Sequence, residues 1–324
     1  MNLLPPPGLG LAAEDCSGCH AAEVEQWRGS RHGTAATNPV FRAAWEHWPN
    51  GWCLGCHAPE ASGQVALIGA FAVPGQLRAP LAEPQDGTWQ EGVSCAVCHV
   101  QDGAIISRNP ASDAASAAHP VVVREDFGGP AFCARCHEFN FQLHTPAGPF
   151  AYGDNPSQET VTEWSRSRAA REGSECVTCH MPDGAHTFPG SHTPSLVRSA
   201  VSAEAIRTRA GVTVTLTAAA AHRIPTGDPF RRLEIRACAD EACTQVIARG
   251  LARRKISVDD VSWHVSEDST IPPTRGEVSQ RRIKVEAPSA RAWQLWYMYG
   301  DRRFERYLPA DEVGFMITGG VFGP

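Results

Sequence analysis

The sequence predicts two parts, a domain of short helices and loops with little β-structure and then an all-β, sandwich-like domain. The first observation is a pentapeptide, Cys-x-x-Cys-His, that occurs five times before residue 181. The second is that residues 14–196 are rich in Gly, Pro, Ala and Ser and poor in long periodic apolar segments. The third is the alternation of apolar and polar residues in short runs after about residue 197. We therefore expect a Pro-rich amino-terminal stem at 1–13, one domain at 14–196 and a second at 197–324.

The repeated pentapeptide has the spacing of a covalent haem attachment site. Two Cys three residues apart lie on one side of a helical turn, where their thiols can bond to the two vinyl groups of a haem, and the next His can bind the iron. The attaching thiols are then those of Cys16, Cys19, Cys53, Cys56, Cys95, Cys98, Cys133, Cys136, Cys176 and Cys179. The proximal iron ligands are His20, His57, His99, His137 and His180. The motifs predict five covalently bound c-type haems.

Structural zinc and a disulfide scaffold are the alternative interpretations of paired cysteines. Neither requires a His directly after the second Cys, whereas all five motifs have one. Ten of the twelve Cys belong to the motifs. The other two, Cys238 and Cys243, flank a predicted turn, and we expect them to form a small-loop disulfide, with free thiols or metal binding as the alternatives.

Charge and hydropathy limit the partners and the location of the protein. The formal net charge is -6, to which haem propionates would add, and this argues against nucleic acid as a partner. No run approaches the roughly 18 apolar residues of a membrane span, and residues 1–10 lack the basic start and apolar stretch of a signal peptide. Because c-type haems are attached outside the cytoplasmic membrane, we expect a periplasmic or extracellular protein whose signal peptide has been removed.

The spacing of the motifs predicts how the first domain folds. Fewer than fifty residues per haem cannot build a separate apolar core, so the haems themselves should form much of the core. Short helices are expected at Ala21–His32, Pro39–Trp48 and Glu159–Glu172. In the second domain, alternation predicts strands at Val212–Thr217, Arg232–Cys238, Arg281–Val285 and Trp293–Tyr299.

Histidines outside the motifs are the favoured second axial ligands, because eight of them exist and only four Met. If Ala21–His32 is one helix, His32 lies about 18 Å along the axis from His20, too far to bind the same iron. His32 would then serve a neighbouring haem, the alternative being an exposed His at a helix end. His119, next to Pro120, is a further candidate, or else an ordinary turn residue. Two others are reserve ligands, His47 and His144, while His264 is expected to be packed or exposed.

Several phrases besides the motifs recur in a known family. They are Trp27-x-x-Ser30-x-His32, Gly92-Val93-Ser94, Cys136-His137-Glu138-Phe139-Asn140, Glu163-Trp164 and Cys179-His180-Met181-Pro182. With them, about residues 14–230 resemble the multihaem cytochrome family that includes the tetrahaem cytochrome of the hydroxylamine-oxidation pathway. The same stretch is also similar to the haem core of pentahaem nitrite reductases.

The resemblance implies distal iron ligands. It makes His32 a distal ligand, and the similarity to nitrite reductases favours His192, then His186, the alternative being hydrogen bonds to a propionate or a loop carbonyl. The phrase His222-x-x-Pro225-Thr226-Gly227 looks like one in β domains attached to multihaem cytochromes, which implies that His222 reaches back to a haem. A surface turn is the alternative for His222.

Three functions follow from this set of ligands. The first is electron transfer between periplasmic or extracellular redox partner proteins, with haems that are mostly or wholly bis-His. The second is a multihaem reductase of small nitrogen or sulfur oxyanions with one open iron. Against it, all five motifs end in His, whereas the catalytic haem of the nitrite reductases usually carries Lys. The third is a homo-oligomer or extracellular haem filament, which the surplus of His permits.

Overall fold

The structure is a computed structural model that describes residues 5–47, 51–59, 88–110, 118–143 and 152–323. These residues form two compact units. One comprises the described parts of 1–133 together with 176–189, and the other the described parts of 134–144 and 152–175 together with 190–323. The sequence boundaries at 13/14 and 196/197 do not coincide with this division and stay predictions. Within the described ranges, no helix is long and apolar enough to cross a membrane.

The α-helices are short, as the Gly- and Pro-rich sequence predicts. In chain order those described are α1 (Ala13–Ser17), α2 (Ala21–Arg28), α3 (Pro39–His47), α4 (Gly51–His57), α5 (Cys95–His99), α6 (Pro130–His137), α7 (Thr160–Ser165), α8 (Arg168–Arg171), α9 (Cys176–His180) and α10 (Pro194–Ala200). Four motifs lie wholly within α4, α5, α6 and α9. In the first motif, the His20 N–H donates to the Cys16 carbonyl at 3.0 Å, which completes a helical turn.

Two of the predicted helices differ from the structure, because one ends early and the other is broken in two. Helix α2 stops at Arg28, with Gly29 as its C-cap, and the chain then turns before His32. The predicted helix Glu159–Glu172 is broken into α7 and α8, since the buried Ser167 side chain accepts the Ala170 N–H at 3.1 Å and starts a new helix. The third predicted helix is present as α3, and Trp48 lies outside the described residues.

The first domain contains more β-structure than the sequence predicts. Strands β1 (Val100–Gln101) and β2 (Ala104–Ser107) form an antiparallel pair after the third motif, and β3 (Val121–Val123) joins β2 in parallel. Strands β4 (Glu138–Gln142) and β5 (Tyr152–Glu159) pair after the fourth motif. The mixed helical and β architecture agrees in outline with the predicted fold class.

The carboxyl-terminal residues form two antiparallel sheets. Their strands are β6 (Val201–Thr208), β7 (Gly211–Ala218), β8 (Arg232–Cys238), β9 (Val246–Val258), β10 (Trp263–Asp268), β11 (Ser279–Val285), β12 (Ala292–Met298) and β13 (Gly314–Val321). The orders are β10-β9-β8-β12-β13 and β11-β7-β6. A Cβ at Gly250 of β9 would lie 2.7 Å from Val285 of β11, so the sheets pack face to face. The predicted strands correspond to β7, β8, β11 and β12.

The sandwich core is apolar and its far side is ionic. Fully buried side chains of both sheets fill the core, among them Val214, Leu216, Leu233, Ile235 and Leu295. On the opposite face of β8, buried Arg232 pairs with Glu305 and Arg236 donates to Glu234 at 2.8 Å. After β8, Cys238 and Cys243 form a disulfide with their Cα atoms 5.0 Å apart.

The carboxyl group of Glu234 is held in its ionised form by these arginines. Burial by itself disfavours the charge, but the hydrogen bond from Arg236 and the charges of Arg236, Arg232 and Arg249 outweigh it. The pKa of Glu234 therefore lies below its ordinary value.

Candidate haem ligand sites

Backbone carbonyl groups orient the rings of three motif histidines through hydrogen bonds at Nδ1. When Nδ1–H of a neutral imidazole donates to a carbonyl, the other ring nitrogen keeps its lone pair for a metal. The distances from Nδ1 to the carbonyl oxygen are 2.8 Å for His57 and Ala35, 3.1 Å for His99 and Ile106, and 2.6 Å for His180 and Pro189. The motif sequence does not predict these contacts, since the carbonyl groups lie 7 to 22 residues away.

The rings of His99 and His186 lie at the separation that two imidazole ligands of one iron require. Their ring centres are 6.2 Å apart with an interplanar angle of 32°. Two imidazoles that bind one metal from opposite sides, with metal–nitrogen bonds of about 2 Å, place their ring centres about 6 Å apart. Burial lowers the pKa of both histidines, which favours the neutral form that binds metals. The third motif and the turn after the fifth motif thus supply a fitting ligand pair.

A hydrogen bond from helix α2 fixes the position of His186. The Gln26 side-chain oxygen accepts the His186 backbone N–H at 2.7 Å, although the two residues are 160 positions apart. The ring centre of Phe127 lies 5.0 Å from that of His99. The pair is therefore enclosed by residues from several parts of the chain.

His32 lies close to the fifth motif. Burial, and to a smaller extent the charge of His180, together lower the pKa of His32 to about 4. Its ring centre is 4.2 Å from that of Phe188. Because helix α2 ends at Arg28, the predicted separation of His20 and His32 along one helix axis does not apply. The ionisable neighbour that affects His32 is His180 of the fifth motif, and ligation by His32 stays a prediction.

The backbone of His32 is clasped by the segment that leads into the third motif. The Val93 N–H donates to the His32 carbonyl at 2.9 Å, and the Trp27 indole N–H donates to the Val93 carbonyl at 2.8 Å. Gly92 has a φ of +65°, and a Cβ there would lie 2.5 Å from the His32 oxygen. Ser94 accepts an N–H of α5 at its N-cap. Two phrases of the family resemblance therefore form one contact.

The first and third motifs lie side by side. The Cys16 side chain hydrogen-bonds to that of Cys95, which together with burial raises the pKa of Cys95. Nearby, the Ala13 N–H donates to the Glu91 carboxylate at 2.9 Å. The first attaching thiols of these two motifs are therefore neighbours, and the porphyrins bound to them would be close.

In the second unit, Glu138 and Trp164 of the family phrases anchor helix α7. The Glu138 carboxylate accepts the N–H groups of Val161 and Thr162 at 3.0 and 3.2 Å, at the helix N-terminus where negative charge is favoured. The Trp164 indole N–H donates to the Ser174 carbonyl at 2.9 Å. The short strand after the fourth motif is thereby tied to the helix that precedes the fifth.

Glu163 connects helix α7 with the loop that contains His222. Its carboxylate is 2% exposed, forms an ion pair with buried Arg254, and accepts the Arg223 N–H at 3.1 Å and the Thr226 hydroxyl at 2.6 Å. Nδ1 of His222 lies 3.0 Å from the Arg223 carbonyl. The loop geometry therefore depends on a buried charge.

The remaining candidate ligands have other described neighbours, and their roles stay predictions. The ring of His192 stacks on that of Tyr299 at 3.7 Å, and Nδ1 of His264 lies 3.4 Å from the Asp259 carboxylate. Nδ1 of His119 is buried and has no hydrogen-bond partner among the described residues. The side chain of His47, at the end of α3, and all of His144 lie outside the described residues.

The sequence analysis did not identify three residues at these sites. They are Gln26, Phe188 and Phe41, whose ring stacks on that of His57 at 4.2 Å and 20°. Each is an ordinary residue in a region without its own motif, so no local signal marks it. For Phe188 alone, its closeness in sequence to the candidates His186 and His192 could have suggested a role.

The fold of the chain resembles that of a multihaem c-type cytochrome of known structure. The particular structure that it matches is the crystal structure of a penta-heme cytochrome c552 from Thermochromatium tepidum, with a TM-score of 0.64 and 17% sequence identity. The match covers 95% of this chain and 97% of that chain. No protein-family model matches the sequence, and no curated protein sequence matches it. At this identity the likeness shows the fold.

Proposed function

We propose that the chain is a pentahaem c-type cytochrome that transfers electrons between periplasmic or extracellular redox partners. The cofactor prediction of five covalently bound c-type haems is confirmed in number and type, because the chain has five attachment motifs and the matched cytochrome is a penta-heme protein. Close packing of the haems would allow electrons to pass along the protein. The neighbouring Cys16 and Cys95 support such packing.

The observation that carries the proposal is the separation of 6.2 Å between the ring centres of His99 and His186. We assign these two residues as axial ligands of the third haem, and His32 with His180 as those of the fifth. An iron with two imidazole ligands has no position for substrate, and it tends towards a lower potential than an iron with His and Met. Bis-His ligation thus favours electron transfer over catalysis at these haems.

This chain's residues would supply attachment and orientation rather than reaction chemistry. The thiols hold each porphyrin, and the carbonyl groups of Ala35, Ile106 and Pro189 orient the motif histidines. When bound, the haems supply the reversible change between ferric and ferrous iron. The helical turns of the motifs would present each motif His to the iron of the haem that its two cysteines hold.

Spectroscopy of the purified holoprotein tests the proposal. We expect five haems per chain, low-spin bis-His signals in electron paramagnetic resonance, and no turnover of nitrite, hydroxylamine or tetrathionate. His186→Ala should convert one haem to a high-spin form that binds carbon monoxide. The matched control His264→Ala removes a His of β10 that contacts Asp259, and it should leave the spectrum unchanged.

Two outcomes would replace the proposal. A wild-type haem that is high-spin, binds carbon monoxide and turns over nitrite would identify an open-iron reductase. Electron microscopy showing filaments of the secreted protein, lost when a surplus His is replaced, would instead support the haem-filament function. An unchanged spectrum in His186→Ala would refute the assignment of the third haem's ligand.

A further inference from the structure

Helix α2 directly follows the first haem attachment motif, but it is linked to the assigned ligands of two other haems. The first motif ends at His20, and α2 follows immediately at Ala21–Arg28. One of its side chains, Gln26, bonds to His186, and the turn after it leads to His32. The helix thus contacts one of the two histidines that the proposed function assigns as distal ligands, and the chain leads from it to the other.

We infer that Gln26 is a positioning residue for the distal ligand of the third haem. Its side-chain oxygen accepts the His186 backbone N–H at 2.7 Å. This bond fixes the main chain at His186, and the ring centre then lies 6.2 Å from that of His99. The inference rests on the proposed function, since it concerns a residue that acts through an assumed iron ligand.

The local structure explains why such a bond is needed. His186 follows a 3-10 turn at Pro182–Gly184, within which Asp183 has a φ of +55°, and no α-helix or strand contains His186 itself. A residue outside regular structure lacks the repeated backbone hydrogen bonds that fix a helical or strand residue. Gln26 supplies a backbone contact from a helix, which is a more rigid element.

Helix α2 is itself well anchored, so Gln26 can transmit its position. Val24 and Trp27 of the helix are buried, with exposures of 1% and 7%. The Trp27 indole N–H also bonds to the Val93 carbonyl just before the third motif. The distal ligand His186 and the segment before the third motif are therefore both hydrogen-bonded to the same short helix.

The test compares three substitutions at Gln26 in the holoprotein. Gln26→Leu removes the acceptor oxygen while keeping similar bulk, Gln26→Asn withdraws the oxygen by one methylene, and Gln26→Glu retains an acceptor at full reach. Glu25→Gln, on the exposed side of α2, is the matched control. The signal of the third haem is identified as the low-spin signal that His186→Ala removes.

Carbon monoxide competes with the distal His of the reduced haem, so its apparent affinity reports how firmly that ligand is held. We expect Gln26→Leu to bind carbon monoxide about fivefold more tightly at the third haem, the effect of losing one ordinary hydrogen bond. Its low-spin resonance should also shift. Gln26→Glu should restore both properties, and Glu25→Gln should change neither.

The outcomes separate this inference from the proposed function. If Gln26→Leu leaves the resonance and the affinity unchanged while His186→Ala removes a low-spin signal, only the role of Gln26 is refuted. If His186→Ala removes no signal, the ligand assignment itself fails. If Gln26→Leu does not mature, Gln26→Asn must show the same shift in the same direction, and an unchanged signal there overturns the inference.

Discussion

Replacing Glu163 with Ala should strongly destabilise the second unit. The substitution removes an ion pair with Arg254 and two hydrogen bonds, from the Arg223 N–H and the Thr226 hydroxyl. Loss of one partner of a buried ion pair costs about 3–5 kcal/mol. Arg254 keeps the Asp268 carboxylate at 3.7 Å, so the lower end, about 3 kcal/mol, is expected.

Urea unfolding followed by far-ultraviolet circular dichroism measures this loss. With a denaturant dependence of about 3 kcal/mol per M, the midpoint should fall by about 1 M. The matched control is Glu172→Ala, which removes the surface ion pair with Arg168, whose side chain is 52% exposed. Such pairs contribute at most about 1 kcal/mol. Equal midpoints for the two variants would refute the argument that the buried charge organises the His222 loop.

Three further results are expected. Gly92→Ala should lower the free energy of unfolding, measured by thermal unfolding, by about 3 kcal/mol, because the φ of Gly92 is +65° and a Cβ would meet a main-chain oxygen. The control Gly103→Ala, at a φ of +81° with open space around it, should lower it by only about 1 kcal/mol. Similar losses in the two variants would contradict the steric explanation. Glu234→Gln should be about 2 kcal/mol less stable than wild type at pH 7. Because the pKa of Glu234 is lowered in the folded state, this difference in stability should vanish as the pH falls through that pKa. A difference that persists in acid would show that the charge of Glu234 is not its cause. Replacing both Cys176 and Cys179 with Ala should lower the haem content from five to four per chain, measured as the pyridine haemochrome, and an unchanged content would disprove attachment there.

The sequence predicts the features of this fold that depend on neighbouring residues. Strand β7 follows from the alternation at Val212–Thr217, and the motif turns follow from the three-residue spacing of their cysteines. The sequence pattern predicts a helix as far as His32, whereas helix α2 ends at Arg28, just before Gly29. Helix boundaries of this kind depend on one or two residues and are easily misplaced.

The partners of the spare histidines could not be predicted in the same way. The family resemblance favours His192 over His186. In the structure the ring centre of His186 lies 6.2 Å from that of His99, while His192 stacks on Tyr299. Both occur in one phrase, and the sequence contains nothing that distinguishes them. Their environments are decided by contacts with distant segments, such as Gln26, which only the folded chain brings together.

The crossing of ligands between segments has a consequence for evolution. Five similar motifs suggest modules that a chain could gain or lose singly from either end. On the proposed ligation, however, deleting the segment that carries the fifth haem would also remove His186 and leave the third iron with one protein ligand. Deleting the turn after the first motif would remove His32, the assigned partner of His180. On this ligation the first, third and fifth haem modules could not be gained or lost singly, because the coordination spheres of the third and fifth haems would include residues from another module.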